Sequence, residues 1–144
     1  MADILGAFRT HLLTKSSVTN LLGTAGGIYF GSLPQNVTLP AVVLHRISSE
    51  PQEDLSGAAG LVRSRIQCDA YANTHTAADN LSEQIRLVSV APNCPTSMGS
   101  VAVTGCHDAG SRTATDQPRD GSQVWREIES RDLVFWHAES VPST

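Results

Sequence analysis

The sequence predicts a single α+β domain: an antiparallel sheet of about four or five strands with two main helices packed on one face. Three observations carry this expectation. Between Val62 and Tyr71, small or apolar residues (Val62, Ser64, Ile66, Cys68, Ala70) alternate with Arg63, Arg65, Gln67 and Asp69, the period of a half-buried strand. Ala78, Leu81, Ile85 and Val88 fall on one helical stripe, with Asp79, Glu83 and Arg86 off it. The order of segments reads helix, short helix, three strands, helix, an uncertain strand and a last strand, which suits helices gathered on one side of a sheet.

Taken in order, Ile4, Leu5, Phe8 and Leu12 predict an amphipathic helix that ends near Thr14 or Lys15. Ser17 then offers a cap for a short helix through Val18, Leu21 and Leu22, which Gly23, Gly26 and Gly27 stop. A brief strand is expected at Ile28-Tyr29-Phe30. After Pro40, the run Ala41 to Ile47 begins almost wholly apolar and predicts a strand covered on both faces. Ser48 to Gly60 is polar, acidic and rich in turn formers, and reads as a mobile loop joining that strand to the alternating one in a long-looped hairpin. Asn73 or Thr74 caps the next helix. From Pro92 to about Gly121 the chain is rich in Pro, Gly, Ser and Thr, with one short strand expected at Ser100–Thr104. Val124 to Trp136 predicts the last strand, with Leu133-Val134-Phe135-Trp136 buried and the charged stretch Arg126–Asp132 at an edge or bulge. Residues 1–138 are thus expected to form one domain, 93–122 an irregular insertion or long loop, and 139–144 a flexible tail.

Bulk properties narrow the function. With 144 residues, 40% hydrophobic and 17% charged, the chain is long enough for one buried core. Its net charge of −4 and single lysine, Lys15, argue against a duplex-DNA binder, which carries a basic stripe. No apolar run approaches the ~20 residues that span a bilayer. The N-terminus has Asp3 where a signal peptide carries basic residues, so a protein made and kept in a cytoplasm, away from membranes, is expected. In that reducing setting Cys68, Cys94 and Cys106, which lack zinc or CxxC spacing, read as free thiols with Cys68 buried.

Catalytic and metal chemistry is not signalled. The five histidines are scattered, and the one dense cluster, Cys106-His107-Asp108, places adjacent side chains on opposite sides of any extended segment. No GxSxG elbow occurs. Gly23 to Gly27 follows a helix and precedes a strand, the reverse of a phosphate loop, and has no following Lys-Ser/Thr. No cofactor, metal or catalytic residue is therefore expected. The residues singled out are surface charges: Glu50, Glu53 and Asp54 in the acidic loop, and Arg63 and Arg65 on the outward strand face. Each set reads either as plain solvated surface or as a contact between subunits or toward a channel.

Several short motifs in order add to this. Ile28-Tyr29 precedes Leu33-Pro34 and then Leu39-Pro40-Ala41-Val42-Val43. Leu55-Ser56-Gly57 leads to Arg65-Ile66-Gln67-Cys68-Asp69-Ala70-Tyr71-Ala72, a capped helix follows, and the chain closes on Arg131-Asp132-Leu133-Val134-Phe135-Trp136. This progression, from about Leu5 to His137, resembles the tail-completion protein family of siphophages, also described as tail-terminator or tail-to-head joining proteins. The segment from about Asn93 to Ser122 is longer than that family leads one to expect. The resemblance implies a structural virion subunit forming a ring, commonly a hexamer, at the head-proximal end of the tail tube. Its implied partners are further copies of itself, the tail tube protein and the head-side connector, with DNA only as passing cargo and no cofactor. It carries no functional residue onto a position of this chain. A head-completion or connector protein, a monomeric protein-binding module and a small enzyme with a dispersed site remain the alternatives.

Overall fold

A computed structural model describes residues 4–23, 27–34, 37–54, 57–90, 94–98, 101–116 and 126–138, without the side chains of 53–54, 57–59 and 116. The elements in chain order are α1 (Ile4–Leu13), α2 (Ser16–Leu22), β1 (Ile28–Phe30), β2 (Ala41–Asp54), β3 (Gly57–Ala72), α3 (His75–Ser89), β4 (Ser97–Met98), β5 (Val101–Asp116) and β6 (Arg126–Ala138).

The strands form one six-stranded sheet, ordered β1-β2-β3-β6-β5-β4, that curls into a half-barrel. This corrects the expected antiparallel sheet of four or five strands with two main helices. The sheet is mixed, because β1 runs parallel to β2, pairing Ile28 with Val42 and Phe30 with Leu44. The remaining pairings are antiparallel. Among the described residues three helices accompany it, the two main ones and the short helix expected through Val18 and Leu22.

Three further expectations change with the register. The described residues of 48–60 are strand, not loop: β2 runs on to Asp54 and β3 starts at Gly57, so the two strands extend as one arm with Asp54 opposite Gly57. Turn-forming residues are tolerated there because the arm contains bulges, at Arg46/Ser48 and Pro51/Glu53, where the register shifts. The stretch read as largely irregular contains the 16-residue β5. Its glycines and threonines hide any hydrophobic period; pairing with β6 from Val103 to Asp116 supplies the order that local sequence does not. Finally β6 is no edge. It lies between β3 and β5, and its charged middle is buried.

The core lies between one sheet face and the helices. Val42, Leu44, Ile66, Cys68, Leu133 and Phe135 come from the sheet; Ile4, Phe8, Leu12, Val18, Leu22, Leu81 and Ile85 come from the helices. Phe8 of α1 meets Phe135 of β6 with ring centroids 5.1 Å apart and tilted by 52°. Thr74 caps α3, its hydroxyl accepting from Ala77 N–H at 3.2 Å. The expected cap at Ser17 is not formed, since α2 begins at Ser16 after Lys15.

The cysteines divide. Cys68 is free and buried as expected, and burial together with the neighbouring Asp69 carboxylate pushes its thiol far above the ordinary range. Cys94 and Cys106, expected as free thiols, are joined by a disulfide, with Cα atoms 6.0 Å apart. The bond ties the segment before β4 to the start of β5.

Candidate interaction face

The sheet face turned away from the helices has no element of this chain packed on it among the described residues, yet much of it is sealed. Val43 and Val134 point to this side and are at most 1% exposed. Val134 stands in the ladder between Arg65 of β3 and His107 of β5, so long polar side chains close over it.

Those side chains form a connected polar array across four strands. Asp69 accepts from Ser130 Oγ at 2.6 Å and from Gln67 Nε2 at 2.9 Å, and His45 Nε2 approaches it to 3.4 Å. Gln67 in turn accepts from Arg112 Nη2 at 3.1 Å. Arg65 donates through Nε and Nη2 to Asp132 Oδ2, at 2.9 and 2.7 Å. The other oxygen of Asp132 has no hydrogen bond, though Arg112 Nη1 stands 3.7 Å away. Nearer the arm, Arg63 contacts Glu50 at 3.6 Å and lies over the Trp136 ring, whose neighbour is His107 at 5.4 Å.

The singled-out residues separate here. Arg63 and Glu50 are brought together. Arg65 is committed instead to Asp132, a partner 67 positions away that the sequence did not suggest. Glu53 and Asp54 lie at the arm's end by backbone register, while their side chains lie outside the described residues. Asp132, Arg112, Trp136 and His45 belong to the same face but were not singled out. For Asp132 and Trp136 the alternation of β6 was the available signal; for Arg112 there was none while its segment read as irregular.

On the helix side a second polar group is buried. Arg131 donates to Ser82 Oγ of α3 at 3.0 Å and to Asp108 of β5 at 2.5 Å, with Glu83 at 3.6 Å. Arg86 holds Glu83 in turn, and that bond keeps the Glu83 carboxyl below its ordinary range. The sequence cluster Cys106-His107-Asp108 is thereby dispersed: Cys106 to Cys94, His107 to Trp136, Asp108 to Arg131. No group of three potential metal ligands occurs among the described residues.

Also facing the helices, Ser49, Ser64 and His137 form a chain, with Ser49 Oγ to Ser64 Oγ at 3.0 Å and Ser64 Oγ to His137 Nε2 at 2.7 Å. His137 Nδ1 lies 3.0 Å from the Ala138 carbonyl. A neutral ring protonated at Nδ1 satisfies every member: Nδ1–H donates to the carbonyl and Nε2 accepts from Ser64. Burial accordingly lowers the pKa of His137, and it lowers that of His11, whose Nε2 sits 2.8 Å from the Val88 carbonyl. Both are polar ties within the fold, and the described bonds of the His137 ring go to the Ser64 hydroxyl and the Ala138 carbonyl.

Comparison with known proteins agrees with this architecture. The family model described as "Tail completion protein gp17" matches residues 6–90, from α1 to the end of α3. A chain in the solved virion of a native gene transfer agent (GTA) particle shares the fold, with a TM-score of 0.67 at 14% identity, covering 94% of this chain and 95% of that one. No curated protein matches by sequence. What these define is a small structural, tail-associated virion protein. The chain belongs to the tail completion protein gp17 family.

Two predictions follow from the polar groups. Arg65→Ala leaves Asp132 buried without its principal donors and lowers unfolding free energy by about 1–3 kcal/mol, whereas Arg63→Ala, which removes a contact between more exposed groups, costs about 1 kcal/mol or less; urea denaturation of the two variants separates them. The histidines give an acid-side pH dependence. Their folded-state pKa values are lowered, so the stability they contribute is complete above the ordinary value of 6.5 and is lost as pH falls below it toward the folded values. Each adds a slope of at most about 1.4 kcal/mol per pH unit in that window. Urea midpoints at pH 7.5, 6.5 and 5.5 fall for the wild type, and His11→Gln or His137→Gln flattens the decline.

Proposed function

We propose that this chain caps the head-proximal end of a phage tail tube as a ring of six copies, ending tube polymerisation and joining the tail to the head-side connector. The observation that carries the reading is membership in the tail completion family, whose model matches residues 6–90. The helix side encloses the core while the opposite sheet face carries a rigid, self-paired charge pattern, a surface suited to setting register between neighbours. The subunit is structural and non-catalytic, takes no cofactor and does not engage a membrane. Its partners are further copies of itself, the tail tube protein and the connector, and it resides in the virion neck after assembly in the host cytoplasm. Residues 1–138 act as one domain.

In this reading Arg63 and Arg65 belong to the face presented to neighbours, and the acidic arm, with Glu50, Glu53 and Asp54, borders the channel through which DNA passes. Six copies multiply the chain's net charge of −4, so the ring repels rather than retains its cargo.

Deleting the gene yields tails of uncontrolled length in electron micrographs, and light scattering of the purified protein gives about 92 kDa, six chains of 15.3 kDa. Tails of normal length on leaking heads would place the protein in the connector instead. Changing Glu50, Glu53 and Asp54 together to Lys slows DNA ejection from assembled particles, and unchanged ejection kinetics would remove the channel assignment.

A further inference from the structure

Each flank of the sheet carries a length of strand that is paired on one side only. β5 pairs with β6 from Val103 to Asp116, but its other edge meets a strand only at Val101 and Ala102, in β4. β2 pairs with β3 along its length, while β1 covers its other edge from Val42 to Leu44 alone. Among the described residues, Thr104–Asp116 and His45–Asp54 therefore present backbone N–H and C=O groups with no second strand beside them. Such an edge is a template for another chain. The bulges at Arg46/Ser48 and Pro51/Glu53 on β2, and at Val103/Gly105 and Asp108/Ser111 on β5, interrupt these edges. They leave regular stretches at Ser48–Pro51 on β2 and at Gly105–Asp108 and Ser111–Asp116 on β5, of which the last is the longest.

We propose that these two edges pair with each other between successive copies of the chain, so that the sheet of one subunit runs on into the next. The proposal rests on the ring reading and names the surface that closes it.

Strand direction is the first support. From β2 through β3 and β6 to β5 there are three antiparallel steps, so β5 runs opposite to β2. Copies related by a rotation stand the same way up, and the β5 of one then meets the β2 of the next antiparallel, the more stable ladder. The contact is also heterologous, one flank against the other, which is the kind that closes a ring.

Charge and shape agree. On the face away from the helices, Arg112 of β5 and Glu50 of β2 have side chains 59% and 58% exposed, and each touches its partner within the chain at no closer than 3.1 Å for Arg112 and 3.6 Å for Glu50. They lie on opposite flanks with opposite sign, so juxtaposing the flanks brings a cation to an anion. Ile47, at the β2 bulge, is 52% exposed and gains cover from an incoming strand. On β5, Ala109, Gly110, Ser111, Thr113, Ala114 and Thr115 are exposed and small, which leaves Arg112 as the one long side chain described along 109–115.

The test combines hydrogen exchange with a charge swap on the full chain. On assembly of the wild type, amides of 104–116 and 45–52 slow their exchange relative to the dilute subunit. Glu50→Arg and Arg112→Glu, each confirmed folded by its urea midpoint, raise the concentration for half-assembly by about tenfold, and both changes in one chain restore it. A ring whose two edge segments exchange as fast as in the dilute subunit overturns the edge pairing and leaves the ring standing, as do single variants that assemble like the wild type. A wild-type protein that remains at 15.3 kDa at every concentration, and single in isolated virion necks by cross-linking, overturns the ring and the edge pairing together.

Discussion

The fold is governed by the need to pair four consecutive polar residues in the middle of its central strand. Glu129, Ser130, Arg131 and Asp132 of β6 are each between 5% and 8% exposed. Strand geometry sends them alternately to the two faces, so each face must provide partners of its own. Toward the helices, Thr113 donates to Glu129 at 2.7 Å, and Arg131 is held by Ser82 and Asp108. On the other face, Ser130 goes to Asp69 and Asp132 to Arg65. An unpaired member would cost more than a typical hydrogen bond contributes, because it would be a desolvated charge or hydroxyl with nothing in exchange. These partners come from β3, α3 and β5, which ties the placement of all three to β6.

That constraint accounts for what the sequence revealed and what it concealed. Local period made β3 and α3 legible, since each has one apolar side and one polar side. The start of β2, Ala41 to Leu44, was legible from its continuous apolar run. β5 was not, because Gly105, Gly110 and its many Ser and Thr residues give no apolar period; its order comes from side chains that serve β6. The charged stretch of β6 read as an edge or a bulge for the same reason: charge in a strand usually means solvent, and here it means reciprocal pairing with residues 16 to 67 positions distant. The arm at Ser48–Gly60 was concealed by turn-forming residues that lie at bulges and at the arm's end rather than in a loop.

The surface residues were legible in part. Alternation put Arg63 and Arg65 on the charged strand face, which is the face turned away from the helices, whereas the acidic stretch, read as solvated surface or as a contact between subunits, gave no sign of the contact between Glu50 and Arg63 within the chain. Sequence gave no means of distinguishing the two arginines. Arg63 contacts an exposed carboxylate, while Arg65 neutralises a buried one, so the first is available to a neighbour at little cost and the second is part of the fold. That difference depends on a register between β3 and β6, which pairs Arg65 beside Val134 and Gln67 with Asp132 across a long stretch of intervening chain.

The same distinction bears on how a subunit of this kind can associate without being aggregation-prone. Much of its outer face is already paired within the chain, so exposed members such as Arg63 can help set register with a neighbour, but displacing the buried pairs, Arg65 with Asp132 among them, would bring little net gain. The strand edges differ, because their backbone groups have no second strand beside them among the described residues and an incoming strand displaces at most local side-chain bonds, such as that of Gln52 to the Glu50 carbonyl. Bulges on both flanks shorten the usable ladder, which keeps a single edge contact weak and disfavours indiscriminate stacking. Closure changes the balance. In a ring every copy makes two such contacts, and the last one forms at the effective concentration of an already tethered partner. Weak edges with a defined direction therefore favour a closed ring over both a stable dimer and an open fibre, provided the rotation between copies closes.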